Sequence, residues 1–368
     1  VTEANDRTLF RNWPCRFQER ARGNGVGTSL HGGGGRSGIT VVELLAAIGI
    51  LLILMGLLLP AIQRARAAAR GLRCRANLRE LAVAVTRYEQ LYAVYPPVSL
   101  GWWEEKVPGL SDNPKDRDFS PHTHLLPFLG YSPLYNAINL NVDGFGGTYI
   151  GLPRTYAVEA NWTALHSAVG VFTCPSDSVA RRPGSVNYVA CVGLLDPLPT
   201  RRGWPDSGKG IFHYPPISTA YVADGLSHTV MFSERLVGDG NYSRAFQPSR
   251  DALVVSGPPK NRADHYARIC AHLHGLNARP LGFRDVGRYW MLSGLTQTWY
   301  NHALPPNSVV SDCVAYTVFG AVSARSAHPG CVHVAFGDTH VRSVGETISL
   351  RVWRALATRS DGEPIEGL

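Results

Sequence analysis

From Ile39 to Ile62 the chain is apolar except for one charged residue, Glu43. Wound as a helix at ~1.5 Å per residue, this run exceeds about 30 Å, and a bilayer core needs only about 20 such residues. A core helix of a water-soluble domain keeps a polar face over that length, so the run predicts a membrane span. Ahead of it lies a polar, arginine-bearing segment that ends in Ser37-Gly38. Behind it the helical pattern continues: Leu78, Leu81, Val85, Tyr88 and Tyr92 recur at spacings of three and four and make one apolar stripe. Pro96-Pro97 is expected to stop the helix.

The remainder reads as a folded, loop-rich β body. Hydrophobic residues are 45% of the chain and charged residues 17%, which excludes a disordered tail, while Gly 38 and Pro 25 demand many turns. Val171–Asp177 reads as a strand running into a turn, and Asn187–Ala190 and Val314–Ala321 as strands. Thr219–Ala223, the Asp224-Gly225 turn and Thr229–Phe232 read as one hairpin; Val332–Phe336, Gly337-Asp338 and His340–Val344 read as a second. Residues 347–357 look like a closing helix. The net charge of +8 is concentrated before the span and just behind it, at Arg64, Arg66, Arg70, Arg73, Arg75 and Arg79. Basic runs that flank a membrane segment point to lipid headgroups rather than nucleic acid. Arginines so crowded behind the span would, by the positive-inside rule alone, keep the body in the cytoplasm. None of the seven cysteines forms a CxxC pair; Cys15 precedes the span, and disulfides and buried thiols are both open for the other six.

Gly38-Ile39-Thr40-Val41-Val42-Glu43-Leu44, with Pro60 further along, resembles the N-terminus of type IV prepilins and type II secretion pseudopilins. The resemblance implies cleavage by a prepilin peptidase after Gly38, methylation of the new N-terminus at Ile39 (usually Phe in that family), and a role in assembly for Glu43. It also implies a leader held inside and a body outside the bacterial inner membrane, which we set above the positive-inside count. Val1 in place of Met points to a non-AUG start or one placed too early. A carboxylate one turn into a membrane helix is costly unless paired; in pilin-like assemblies it can meet a neighbouring subunit's amine.

A second resemblance covers most of residues 38–360. His328, nine residues and then Asp338 match the H-X9-DG motif of the bacterial DUF1559 family, with Thr339 standing where Gly is expected. Gly337 is the residue we expect to supply a positive φ in its stead. Leu126–Leu129, Leu134–Asn136, Cys174-Pro175-Ser176-Asp177, Asn187-Tyr188, Asp224-Gly225-Leu226-Ser227-His228-Thr229 and Glu234-Arg235 match other pieces of that family. The resemblance implies no biochemical activity.

Chemistry is sparse. His122/His124 and His272/His274 are H-x-H pairs without a completing carboxylate or Cys set. Asp177, Asp224, Glu234 and Asp338 lie beside turns; turn capping explains them, and calcium is the one cofactor such loops could take. His328 with Asp338 could act as base and orienter, but no nucleophile motif accompanies them, and a structural bond explains them as well. Glu234-Arg235 is expected to join a buried polar network that pins strands. We therefore expect no enzyme and no resident cofactor. The fold class expected is α+β: a leader at 1–38, a transmembrane helix at 39–62, its amphipathic continuation at 63–97, and an antiparallel β-rich, pilin-like body at 98–368 with irregular insertions. The expected role is a pseudopilin-like structural protein, with the peptidase, sister subunits and lipids as partners; the alternative is an anchored binding module that does not polymerise. Gly38, Ile39 and Glu43 carry the processing and assembly reading, while His328, Asp338, Asp224 and Gly225 are site candidates of no assigned role.

Overall fold

A stretch rich in leucine, isoleucine and alanine, running on into arginine- and alanine-rich sequence, forms one helix, α1, Val41–Tyr92, which contains Pro60. The computed structural model describes residues 40–99, 119–140, 157–194, 209–255, 263–275, 282–315 and 319–363. Gly38, Ile39, Cys15 and the glycine-rich stretch before the span lie outside these. Thr40 starts the helix: its hydroxyl accepts from the Glu43 N–H, while its own N–H and hydroxyl donate to Glu43 Oε2, both at 2.9 Å. This is a reciprocal capping box that satisfies donors the first turn leaves open. The helix ends before the proline pair, at Tyr92, where Ala93 turns left-handed with φ 60° and its N–H reaches back to Glu89 O at 2.7 Å.

Two compact units divide the chain, one ending at Leu59 and one running from Pro60 to Leu368. In the first, apolar side chains such as Leu45, Leu52 and Leu57 are exposed, and the helix is long and apolar enough to cross a membrane. In the second, the first part of the predicted stripe is buried: Leu78, Leu81 and Val85 join the main core, as does Cys74, four residues earlier on the same face, while Tyr88 packs against it half-buried and Tyr92 is exposed.

Nine strands make two sheets among the described residues. The larger has the order β5-β1-β2-β8-β9, from β1 (Tyr188–Cys191), β2 (Val230–Glu234), β5 (Trp299–Tyr300), β8 (Cys331–Phe336) and β9 (Val341–Gly345). The smaller has the order β4-β3-β6-β7, from β3 (Ala252–Val254), β4 (Gly282–Phe283), β6 (Asp312–Ala315) and β7 (Phe319–Ala321). The α+β class holds, but the sheets are mixed rather than antiparallel: β1 runs parallel to β5 and β3 parallel to β6. The closing hairpin is as expected, with Val334 opposite Arg342 in β8–β9. The Thr219–Phe232 hairpin is not: Thr219–Tyr221 is a 3-10 turn and only β2 is a strand. Val171 likewise falls in a 3-10 turn, Gly170–Phe172. The stretch 314–321 holds strand residues of both β6 and β7, which pair antiparallel. Short apolar runs do not separate strand from tight turn by periodicity. Trp290, Trp299, Phe172, Phe232, Phe336 and Trp353 fill the main core, and a satellite core gathers around Leu253, Tyr266, Cys270 and Cys313.

At the β8–β9 turn the positive φ belongs to Thr339 (φ 73°), not to Gly337. Gly337 is required for space: a Cβ there would stand 2.9 Å from the Leu226 carbonyl oxygen. A β-branched residue at positive φ costs about 1–2 kcal/mol, against roughly 0.5–1 kcal/mol for the extra entropy a glycine loses on folding. Thr339→Gly is therefore expected to stabilise the protein by about 0.5 kcal/mol or more in urea unfolding. A loss of stability would show that the Thr339 side chain holds the turn instead.

Candidate functional site

Some of the motif pieces scattered along the chain, Cys174–Asp177, Asn187, Glu234 and His328, converge on the buried stretch of α1. Cys74 forms a disulfide with Cys174, which ties the helix to the Cys174-Pro175-Ser176-Asp177 loop. That loop is built by Asn187, just before β1: its Oδ1 accepts from Cys174 N–H at 2.9 Å, and its Nδ2 donates to Asp177 Oδ2 at 2.9 Å. Asp177 also accepts from Val237 N–H and from Arg250 Nη1, each at 2.9 Å. Beside the disulfide Asn77 donates to Thr173 O at 3.1 Å, so helix and loop are joined by both a covalent and a polar contact.

Against the sulfurs stands His328. Its Nε2 is 3.7 Å from Cys174 Sγ and 3.6 Å from Glu234 Oε1, while Gly71 of α1 lies under the ring. Glu234, at the end of β2, is 2% exposed. Its Oε2 accepts the His333 backbone N–H at 2.9 Å, and its Oε1 is buried without a hydrogen-bond partner. Burial pushes this carboxyl up to about 7; the His333 N–H and the nearby Ser326 hydroxyl pull the other way. His333, on β8, has its ring centroid 4.7 Å from that of His328. Its Nδ1 meets Ser343 Oγ at 2.9 Å, and its Nε2 is buried without a partner. Burial lowers His333 to about 4 and also lowers His328, so both rings are neutral at pH 7.

His328 and Asp338 are not partners. Strand β8 separates them, and six residues at ~3.3 Å span about 20 Å. The nine-residue spacing thus measures one strand with its flanks. At the far end Asp338 pairs with His340 Nδ1, and the backbone N–H groups of Gly337 and Asp338 donate to Thr229 O and Leu226 O. The Asp224-Gly225 turn sits there too. Gly225 takes φ 90°, and Asp224 accepts from the Asp361 and Gly362 N–H groups at 2.9 Å. Asp177, Asp224 and Asp338 therefore receive N–H donors, which is the chemistry of turn capping rather than of a cation cage. Glu43 is at the N-terminal end of α1, capping its own helix.

Nor do the H-x-H pairs converge on a ligand. His122 and His124 lie on the short helix α2 (Pro121–Leu125), where residues two apart diverge, and both are buried. His122 Nε2 meets Tyr188 O at 2.7 Å. His274, on the helix α3 (Ala263–Gly275), meets Ser311 Oγ at 3.1 Å. Glu234 and Arg235 do enter polar networks, but on opposite sides of their strand: Arg235 reaches Asp312 Oδ2 at 3.5 Å. The Cys74–Cys174 pair was open in the sequence, although Cys74 extends the apolar stripe by one step. His333 carried no signal beyond its place in an apolar strand.

The chain matches the family described as protein of unknown function (DUF1559) over residues 63–351. No curated protein and no solved structure is similar to it.

Proposed function

Because the chain belongs to the DUF1559 family, we propose that it is a pseudopilin-like structural protein, anchored by one span, with its body outside the bacterial inner membrane. The observation that carries this reading is α1 itself. One continuous helix is exposed and apolar along its first part and becomes a core element of the body along its second. The Thr40–Glu43 capping box begins that helix one residue past the Gly38–Ile39 junction, so cleavage there would leave an N-terminus poised at a formed first turn. The two disulfides, Cys74–Cys174 and Cys270–Cys313, support an oxidising compartment for the body. Exposed Arg64, Arg66 and Arg70 follow the span at a height suited to anionic lipid headgroups. The partners are the prepilin peptidase that trims the leader, sister subunits that pack along α1, and those lipids; the protein itself does no chemistry.

N-terminal mass spectrometry of the chain extracted from membranes is expected to find a methylated Ile39. Residues 1–38 still attached in cells with an active prepilin peptidase would remove the proposal. Shearing the cells then separates two roles. A polymerising subunit leaves with the fibres, whereas an anchored binding module stays with the membranes. The two-sheet body, bulky for side-by-side packing, favours a minor or tip position over a major subunit.

A further inference from the structure

We propose that reduction of the Cys74–Cys174 disulfide turns the buried cluster into a tetrahedral site for a divalent metal ion of the zinc type, held by Cys74 Sγ, Cys174 Sγ, His328 Nε2 and Glu234 Oε1. These four ligand atoms already lie within 4.8 Å of one another. A zinc ion bonded at about 2.0–2.3 Å sets ligand-to-ligand edges of about 3.3–3.8 Å. The Cys174–His328 contact, at 3.7 Å, and the His328–Glu234 contact, at 3.6 Å, are such edges. The sulfur–sulfur edge is short, because a covalent bond occupies it. A dithiol supplies the two electrons and two protons that break this bond into two thiols and is itself oxidised to a disulfide; a phosphine supplies the two electrons, while water gives the two protons and the oxygen of the resulting phosphine oxide. Metal binding then releases both thiol protons, and the proton of any Glu234 that is still protonated, to solvent.

The surroundings suit the exchange. Glu234 is 2% exposed, and its Oε1 faces the cluster with no hydrogen bond of its own. An oriented, unpaired carboxylate oxygen in the interior is costly in the oxidised protein and becomes a ligand in the reduced one. Its orientation is set by the His333 N–H on the other oxygen. His328 brings an imidazole nitrogen, Nε2, to the cluster. Two thiolates, a carboxylate and a 2+ ion leave one net negative charge, and Arg70 and Arg75 of α1 already act electrostatically on His328 and His333. The proposal does not depend on the pseudopilin reading: disulfide and metal are alternative ways of tying α1 to the body.

The test uses the full chain in detergent with Cys15, Cys191, Cys270, Cys313 and Cys331 changed to serine, so that Cys74 and Cys174 supply the only thiols. After phosphine reduction and desalting, cobalt(II) is titrated in. We expect one equivalent to bind with the intense visible bands of a tetrahedral thiolate complex, and zinc to displace it. The unreduced chain should bind none. Glu234→Gln should weaken binding about tenfold or more, and His328→Ala should remove the tetrahedral bands. In parallel, zinc should raise the Tm of the reduced chain but not that of the reduced His328→Ala variant. That readout covers a reduced chain that is loosened without metal. No stoichiometric metal and no zinc-dependent rise in Tm would overturn the proposal, as would binding that survives Cys74→Ser/Cys174→Ser.

Discussion

Between pH 6.5 and 4 the body is expected to lose its fold, because it buries neutral histidines that must take up protons once it opens. His122 and His124 are lowered to about 4 and His302 to about 3, in each case chiefly by burial. His122 is enclosed by the Phe172 and Phe232 rings and the Tyr188 carbonyl, and His124 lies near the edge of Tyr88 with its Nε2 buried and unpartnered. His302 stacks on Trp353 at 3.6 Å and meets Tyr300 Oη at 3.1 Å. Their folded values lie below the unfolded one, so the stability they confer is complete above pH 6.5 and is lost as the pH falls towards the folded values. Glu234, raised to about 7, works in the opposite sense: the stability of its protonated form is lost as the pH rises from 4.5 through 7. His333, lowered to about 4, roughly offsets it. Three protons remain to be taken up on unfolding, or about 4 kcal/mol per pH unit, against a total stability of about 5–15 kcal/mol. Near-ultraviolet circular dichroism should show Tm falling steeply below pH 6. His124→Leu should flatten that fall by about one proton's worth. A Tm at pH 5 equal to that at pH 7 would contradict this account.

Removing the Asp312 carboxylate is expected to cost roughly 3–5 kcal/mol, the range for stranding a buried charge. Asp312, 1% exposed at the start of β6, takes Arg325 Nη2 at 2.9 Å and Ser323 N–H at 3.1 Å on one oxygen and Arg235 Nη2 at 3.5 Å on the other. Arg235 follows β2 of the large sheet, is buried, and also donates to Leu295 O. Burial lowers it to about 10, although Asp312 counteracts this. Asp312→Ala leaves two interior guanidinium groups facing each other across the junction of the two sheets. Urea unfolding should report the loss, with Asp312→Asn falling between wild type and Ala because it keeps one acceptor. A change under about 1 kcal/mol would mean that water reaches the pair and screens it.

A helix long and apolar enough to cross a membrane, the core-facing second half of α1 and the β8–β9 hairpin were legible from order alone, because each rests on local patterning. The short elements were not. Thr219–Tyr221 and Gly170–Phe172 carry strand-like residues, yet both are 3-10 turns, the first without a buried residue and the second with Val171 and Phe172 in the core. The family-like pieces could be seen but not placed. His328 and Asp338 look like partners ten positions apart, and only the extended geometry of β8 shows that they serve opposite ends of a strand. The turn at Thr339 was misjudged for a related reason: whether Gly337 needs freedom or space depends on Leu226, more than a hundred residues earlier.

Composition and order alone were enough to establish a membrane-length helix, a folded α+β body behind it and the family to which the chain belongs. Hydropathy and repeat spacing are properties of neighbours along the backbone, so they survive without coordinates. Which cysteine meets which, why Glu234 and Arg235 turn to different networks, and why a histidine, a carboxylate and two sulfurs share one pocket were decided only when distant segments packed. Those pairings are fixed by shared burial, where an unmatched polar atom costs more than the chain entropy of bringing its partner from far away.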